Sequence, residues 1–164
     1  MAGNLRAENI AFQAAEAALR SGEAAIAAWT AQPLASTDGS TGVWELDYPD
    51  TDPTADPPDE FQWWQVRDAA WWASSASHSV SSAGNLLFRR GTDDVNPDLK
   101  GDAAQLSAPQ PRYLIEERGP IMDSLVVGQQ TDMVGRRVYQ VTGRGTDLGG
   151  RAEAFVRSTY ARRF

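Results

Sequence analysis

The chain has no cysteine, one histidine and one lysine in 164 residues. Disulfides, thiolate zinc sites and thiol nucleophiles are excluded at once. With His78 alone, and no cysteine to join it, neither a histidine-based metal site nor a Ser-His-Asp type triad is expected. No run of about 18 apolar residues occurs, so no segment reads as a membrane span. No basic stretch followed by an apolar core opens the sequence, so no signal peptide is expected in it. Positive charge is also scarce: fifteen Lys and Arg stand against twenty-two Asp and Glu, for a formal net charge of −7. That balance argues against nucleic acid as a partner, because phosphate binding needs a basic footprint.

Catalytic signatures are missing too. There is no G-x-S-x-G elbow, no P-loop and no G-x-G-x-x-G fingerprint. The glycines at 143, 145, 149 and 150 read as turn residues, because no helix follows them. Glu116 and Glu117 are neighbours on a predicted strand and point to opposite faces, so they cannot share acid–base work. No enzyme activity, cofactor or small-molecule substrate is expected.

What is present begins with a helix. Residues 4–31 hold no proline and one glycine. Leu5, Phe12, Ala15, Leu19, Ile26 and Trp29 recur at helical spacing and are the expected packing face, with Glu8 and Gly22 at the intervening positions. Asn4 suits an N-cap, and Pro33 ends the pattern.

A middle region, 32–110, follows. "STDGSTG" (36–42) reads as a turn. "DYPDTDPTADPPDE" (47–60) holds five Asp, one Glu and four Pro without a base. A stiff solvated loop is its plain reading, and a calcium site its sharper one. The prolines break the EF-hand pattern. In "FQWWQVRDAAWWASS", Trp63, Trp64, Trp71 and Trp72 form two pairs eight apart, as on a short helix. Such residues usually pin a loop to the core. Exposed, they would be a partner surface or a glycan-stacking platform.

From 111 to 164 the pattern is β. Four runs have strand length: 112–118, 121–127, 136–144 and 151–161. Gly119 and Pro120 suggest a tight turn between the first two, and "GTDLGG" (145–150) a hairpin loop between the last two. In the last run Ala152, Ala154, Val156, Ser158 and Tyr160 share one face, while Glu153, Arg157 and Thr159 share the other. The expectation is a single α+β domain, a long N-terminal helix packed on a four-stranded antiparallel sheet. Charge is split along the chain. Residues 45–60 carry seven acids, and residues 136–164 carry seven arginines. Either this is scattered surface charge or it steers head-to-tail association.

The opening "MAGNLRAENIAFQAAEAALRSGE" resembles the segment that follows the membrane helix in PilX-type minor pilins of the type IV pilus. Residues Ala11 to Arg20 carry the match. "RYLIEER" (112–118) and "VYQVTGRGTDLGGRAEAFVRSTYARRF" (138–164) are similar to that family's aromatic–Glu–Glu strand and closing hairpin. The middle resembles it only through its Trp pairs.

The resemblance implies a type IV pilin-like fold and a structural role without catalysis. It implies an apolar anchor segment preceding this helix, an inner-membrane location with a periplasmic domain, and later export in the pilus of a Gram-negative cell. The implied partners are other minor pilins and a tip adhesin, in a complex that primes pilus assembly. A minor pseudopilin of a type II secretion system shares the plan and is the near alternative. A free Trp-based glycan-binding module is the other.

Overall fold

In the computed structural model, the described residues are 2–45, 63–74, 77–79, 109–122, 135–147 and 149–164. Helix α1 spans Ala2–Ala28. A 3-10 turn at Trp63–Val66 and the five-residue helix α2 at Ala69–Ala73 follow. The strands are β1 (His78–Ser79), β2 (Arg112–Met122), β3 (Gly135–Thr146) and β4 (Glu153–Arg162). They form one antiparallel sheet in the order β1-β2-β3-β4. The architecture is therefore α+β: a long N-terminal helix on a sheet of three long strands, with a two-residue strand at one edge.

Two expectations need correction. The fourth long strand at 121–127 is not separate: Ile121 and Met122 continue β2, and residues 123–134 lie outside the described residues. Gly119 and Pro120 do not reverse the chain. Gly119 takes φ 91° at a register shift between Glu117 and Gly119, which is a bulge rather than a turn. Proline is tolerated at 120 because β1 pairs only with Arg112 and Tyr113, leaving no ladder bond there for its missing N–H to supply toward β1. The loop between β3 and β4 does follow the turn chemistry. Asp147 Oδ1 accepts from the backbone N–H groups of Arg151 (2.7 Å) and Ala152 (3.1 Å).

Helix α1 stops at Ala28, short of Pro33. Trp29 leaves the helical path and sets its ring edge-on to Tyr139, with centroids 5.2 Å apart. The Arg162 guanidinium donates to the carbonyls of Ile26 and Trp29. A cation thus satisfies acceptors that the helix end leaves over.

The sheet has a core on each face. Under α1 lie Tyr113, Ile115, Tyr139 and Val141 with Val43, Ala18 and Ile26. On the opposite face lie Trp44, Trp63, Trp64, Trp72 and Leu114, with Phe155 packed against them. Strand alternation explains the division: Tyr113 and Ile115 look one way, Leu114 and Glu116 the other.

The helix comes very close to the sheet. A Cβ on Gly143 would stand 2.8 Å from the Leu19 backbone nitrogen and would collide with the Ala15 carbonyl oxygen. One on Gly145 would stand 2.7 Å from Ala14 Cβ and would collide with the Ala11 carbonyl oxygen and the Ala15 nitrogen. Small residues on both sides thus let helix backbone rest on strand backbone. Ala11, Ala14, Ala15 and Ala18 are buried there.

This contact yields a prediction. Gly145→Ala should cost about 1–3 kcal/mol by overpacking, a fall in Tm of roughly 2–12 °C for a chain of this size. Gly3→Ala, whose added Cβ would meet nothing within 4 Å, should leave Tm unchanged or slightly raised. Calorimetry of both variants checks this.

Candidate functional site

Two features qualify as sites: the outer face of α1 and the tryptophan-rich layer. Helix geometry places the first. Leu5, Phe12, Leu19 and Ile26 recur every seven residues, and such a line drifts by about 20° per repeat on a straight helix. The drift carries it from solvent to core. Leu5 is 61% exposed and Phe12 49%, Leu19 is half-buried against the core, and Ile26 is fully buried. Ala15 is buried as well, and Trp29 packs partly against the core. Leu5 and Phe12 therefore do not belong to the face that packs on this chain's own sheet. That face is the small-residue stripe of Ala11, Ala14, Ala15, Ala18 and Gly22, which large-residue spacing does not pick out. Gly22 lies tight on the sheet: a Cβ there would be 2.5 Å from Val141 Cγ1.

The tryptophan layer is closed. Trp64 is 1% exposed and Trp72 is fully buried, so Trp63, Trp64, Trp71 and Trp72 do not form an exposed partner surface or a glycan platform; only Trp71 keeps partial exposure. They sit on two short elements rather than one helix. Asp68 caps α2, its Oδ1 accepting from the Trp71 N–H at 2.8 Å. The hinge between the elements lets both pairs fold over β2–β4. Trp72 Nε1 donates to the Trp64 carbonyl oxygen (3.3 Å). Trp64 and Trp72 pack on Phe155 at 5.0 and 5.8 Å. Trp63 meets Trp44 at 4.9 Å and Trp71 at 5.4 Å. Arginines then cover the rings: Arg67 lies over Trp63 and Trp71, Arg144 over Trp72, and Arg157 over Trp64.

Trp44 is the member that motif spacing misses. It joins by backbone, its N–H donating to the Ile115 carbonyl (2.8 Å) and its carbonyl accepting from the Glu117 N–H (2.8 Å). Glu116 is the second omission. It is 2% exposed, accepts from Trp63 Nε1 at 3.1 Å, and lies 3.5 Å from an Arg118 terminal nitrogen. Burial pushes its carboxyl above the ordinary value, against the opposing pull of Arg118, the Trp63 N–H and Arg157. Spacing did not mark it as part of this layer, because the Trp63 indole that bonds it lies 53 positions away.

His78 has a structural part. Its Nε2 donates to the Gly42 carbonyl oxygen (2.8 Å), and its ring stacks on Tyr113 at 5.0 Å. This ties the 36–42 turn to the sheet. Several C-terminal arginines also serve the fold: Arg137 pairs with Glu117 at 2.6 Å, Arg144 with Glu153, and Arg162 caps α1. Among the described residues, no group of three or more His, Cys, Asp or Glu converges on a metal position. The calcium reading of 45–60 falls outside the described residues except at Glu45. Among the described residues, no helix is long and apolar enough to cross a membrane.

Two predictions test this layer. Trp72→Ala should cost about 3–5 kcal/mol, while Trp71→Ala, at the partly exposed position, should cost clearly less; denaturant titration of each compares them. Glu116 gives a pH signature. Its folded-state pKa lies above the unfolded one, so its contribution is most favourable below the unfolded value of about 4.5 and declines as pH rises toward the folded pKa. The Tm advantage of wild type over Glu116→Gln should therefore shrink between acidic and neutral pH. An advantage that grows with pH would mean the arginines outweigh burial.

With the geometry in place, comparison with known proteins adds one finding. Residues 18–162 match the family described as Type IV pilus assembly protein PilX C-term. Curated proteins and solved structures return no match. The family match covers both cores, from the middle of α1 through the last residue of β4, and on it the chain belongs to the PilX family of type IV pilus assembly proteins.

Proposed function

We propose that this chain is the globular part of a minor pilin that joins other minor pilins through the outer face of α1, in a complex that primes pilus assembly and carries a tip adhesin. Membership in the PilX family supports a structural role in the type IV pilus and a pilus-associated place in the cell envelope. The family is one of pilus components and not of enzymes. A pilin-like fold is consistent with a long helix lying on an antiparallel sheet. An apolar segment preceding α1, holding the subunit in the inner membrane before export, belongs to the same reading.

The observation that carries the proposal is the division of α1. Its small-residue stripe is occupied by the chain's own sheet, while Leu5 and Phe12 stand exposed one heptad apart. Large apolar side chains repeated along one helix face are anchors for a second helix. The interaction is one of packing and needs no cofactor.

Leu5→Asp with Phe12→Asp, introduced into the full-length protein, should leave the globular domain's stability within about 0.5 kcal/mol of wild type, as is usual for exposed positions. The same pair should abolish co-purification with the other minor pilins and reduce surface pili. Pilus counts and pull-downs equal to wild type would remove this face from the assembly.

A further inference from the structure

We propose that the cavity beside α2 is a subsite for a single carboxylate group. It has a volume of about 450 Å³ and lies between α2, the chain entering β2, and the β3–β4 turn. That volume is within the ordinary range for small-ligand pockets. Ala69, Ala73 and Pro109 give it apolar lining and Arg112 and Arg144 cationic lining, and Gln110 and Thr146 also line it.

The cationic lining is the unusual part. Arg112 and Arg144 are direct cross-strand partners on β2 and β3. Like charges in that position repel. Arg112 spends its terminal nitrogens on the carbonyls of Ala73 (2.6 Å), Ser77 (3.1 Å) and Ser74 (3.5 Å), which carry no net charge. Arg144 has one anionic partner, Glu153, bound through Nε. Among the described residues that line the cavity and their ion-pair partners, two guanidiniums and one carboxylate leave an excess of one positive charge. The Arg144 side chain is 11% exposed and its guanidinium carbon lies over the Trp72 ring, 5.7 Å from the centroid. Arg144 lines the cavity, and with Nε engaged its terminal N–H groups supply the fork geometry that carboxylates accept. Burial, followed by Arg144, also lowers the Arg112 pKa, the direction expected where a cation lacks a compensating anion.

The charge sets the ligand class. One excess positive charge matches a monoanion, whereas a phosphate dianion would be set against the Glu153 carboxylate. The apolar lining fits a short aliphatic stem. An acidic side chain of a partner polypeptide and a small free carboxylic acid share this chemistry.

The test is a titration of the full chain with N-acetylglutamate, N-acetylglutamine and inorganic phosphate. It is followed by the Arg144 Nε–H NMR resonance and by tryptophan emission, to which Trp72 contributes. N-acetylglutamate should give a saturable shift, with binding at least about tenfold weaker for the amide and for phosphate. Ala73→Leu fills the cavity from an exposed helix position without altering either arginine, and should remove the shift while Tm stays at the wild-type value. Arg144→Gln should remove it as well. A blocked glutamate-containing tetrapeptide binding about tenfold tighter than N-acetylglutamate assigns the carboxylate to a polypeptide; equal binding assigns it to a free acid. Binding of the amide or phosphate as tight as that of the acid, or undiminished binding to Ala73→Leu, would overturn the proposal.

Discussion

Helix α1 and strand β3 meet backbone to backbone. Gly143 and Gly145 on β3 meet the main chain of Ala11, Ala15 and Leu19 on α1 with no room for a Cβ between them. Everything on the helix face of the sheet follows from that distance. Because helix and strand touch through small residues, Tyr113, Tyr139 and Val141 can close around the flanks and still be buried. Because the buried stripe is narrow, the large apolar residues at the start of the helix are left outside it.

The other face is solved with opposite means. There only the short 3-10 turn and α2 lie on the sheet among the described residues, so bulk does the sealing: four tryptophans and Phe155 tile the strands, and arginines lie over the rings. This layer buries several polar groups: the Trp72 indole N–H and Glu116 Oε1 have partners, while the Trp64 indole N–H and Glu116 Oε2 have none among the described residues. Unpaired, such groups would each cost more than a hydrogen bond gains. The arginines serve both layers. Arg162 caps α1 and Arg144 pairs with Glu153, so much of the positive charge that runs along the C-terminal sequence is consumed within the fold.

What could be read from the sequence follows from where the controlling interactions lie. The helix, the strands near 112–118, 136–144 and 151–161, and the Asp147 turn are local, and periodicity or turn chemistry shows them. The continuation of β2 through Gly119 and Pro120 was not legible, because the same dipeptide serves a turn and a bulge, and the pairing with Val138 and Arg137 that decides between them is distant in sequence. Spacing on α1 ranks large side chains and does not divide the stripe: Leu5 and Phe12 stand outside the contact with the sheet, which selects the smallest residues. The Trp pairs carry one pattern whether they face solvent or core, and only the sheet beneath them decides. Trp44 and Glu116 reach their places through pairings that no local motif announces. The family resemblance, resting on Ala11 to Arg20 and on the closing hairpin, was the part of the function that the residues did carry.

A helix that gives its small face to its own sheet and leaves Leu5 and Phe12 exposed has a face to spare, and the proposed pilus role rests on that division. The most direct measurement is a NOESY spectrum of the chain in solution. Strong cross-peaks between the Gly145 Hα protons and the Ala14 methyl, with the Leu5 and Phe12 side chains showing none to the sheet, are the result expected. Cross-peaks from Phe12 to β3 or β4, with the Ala14 methyl free of them, would place the large residues inside and contradict the account.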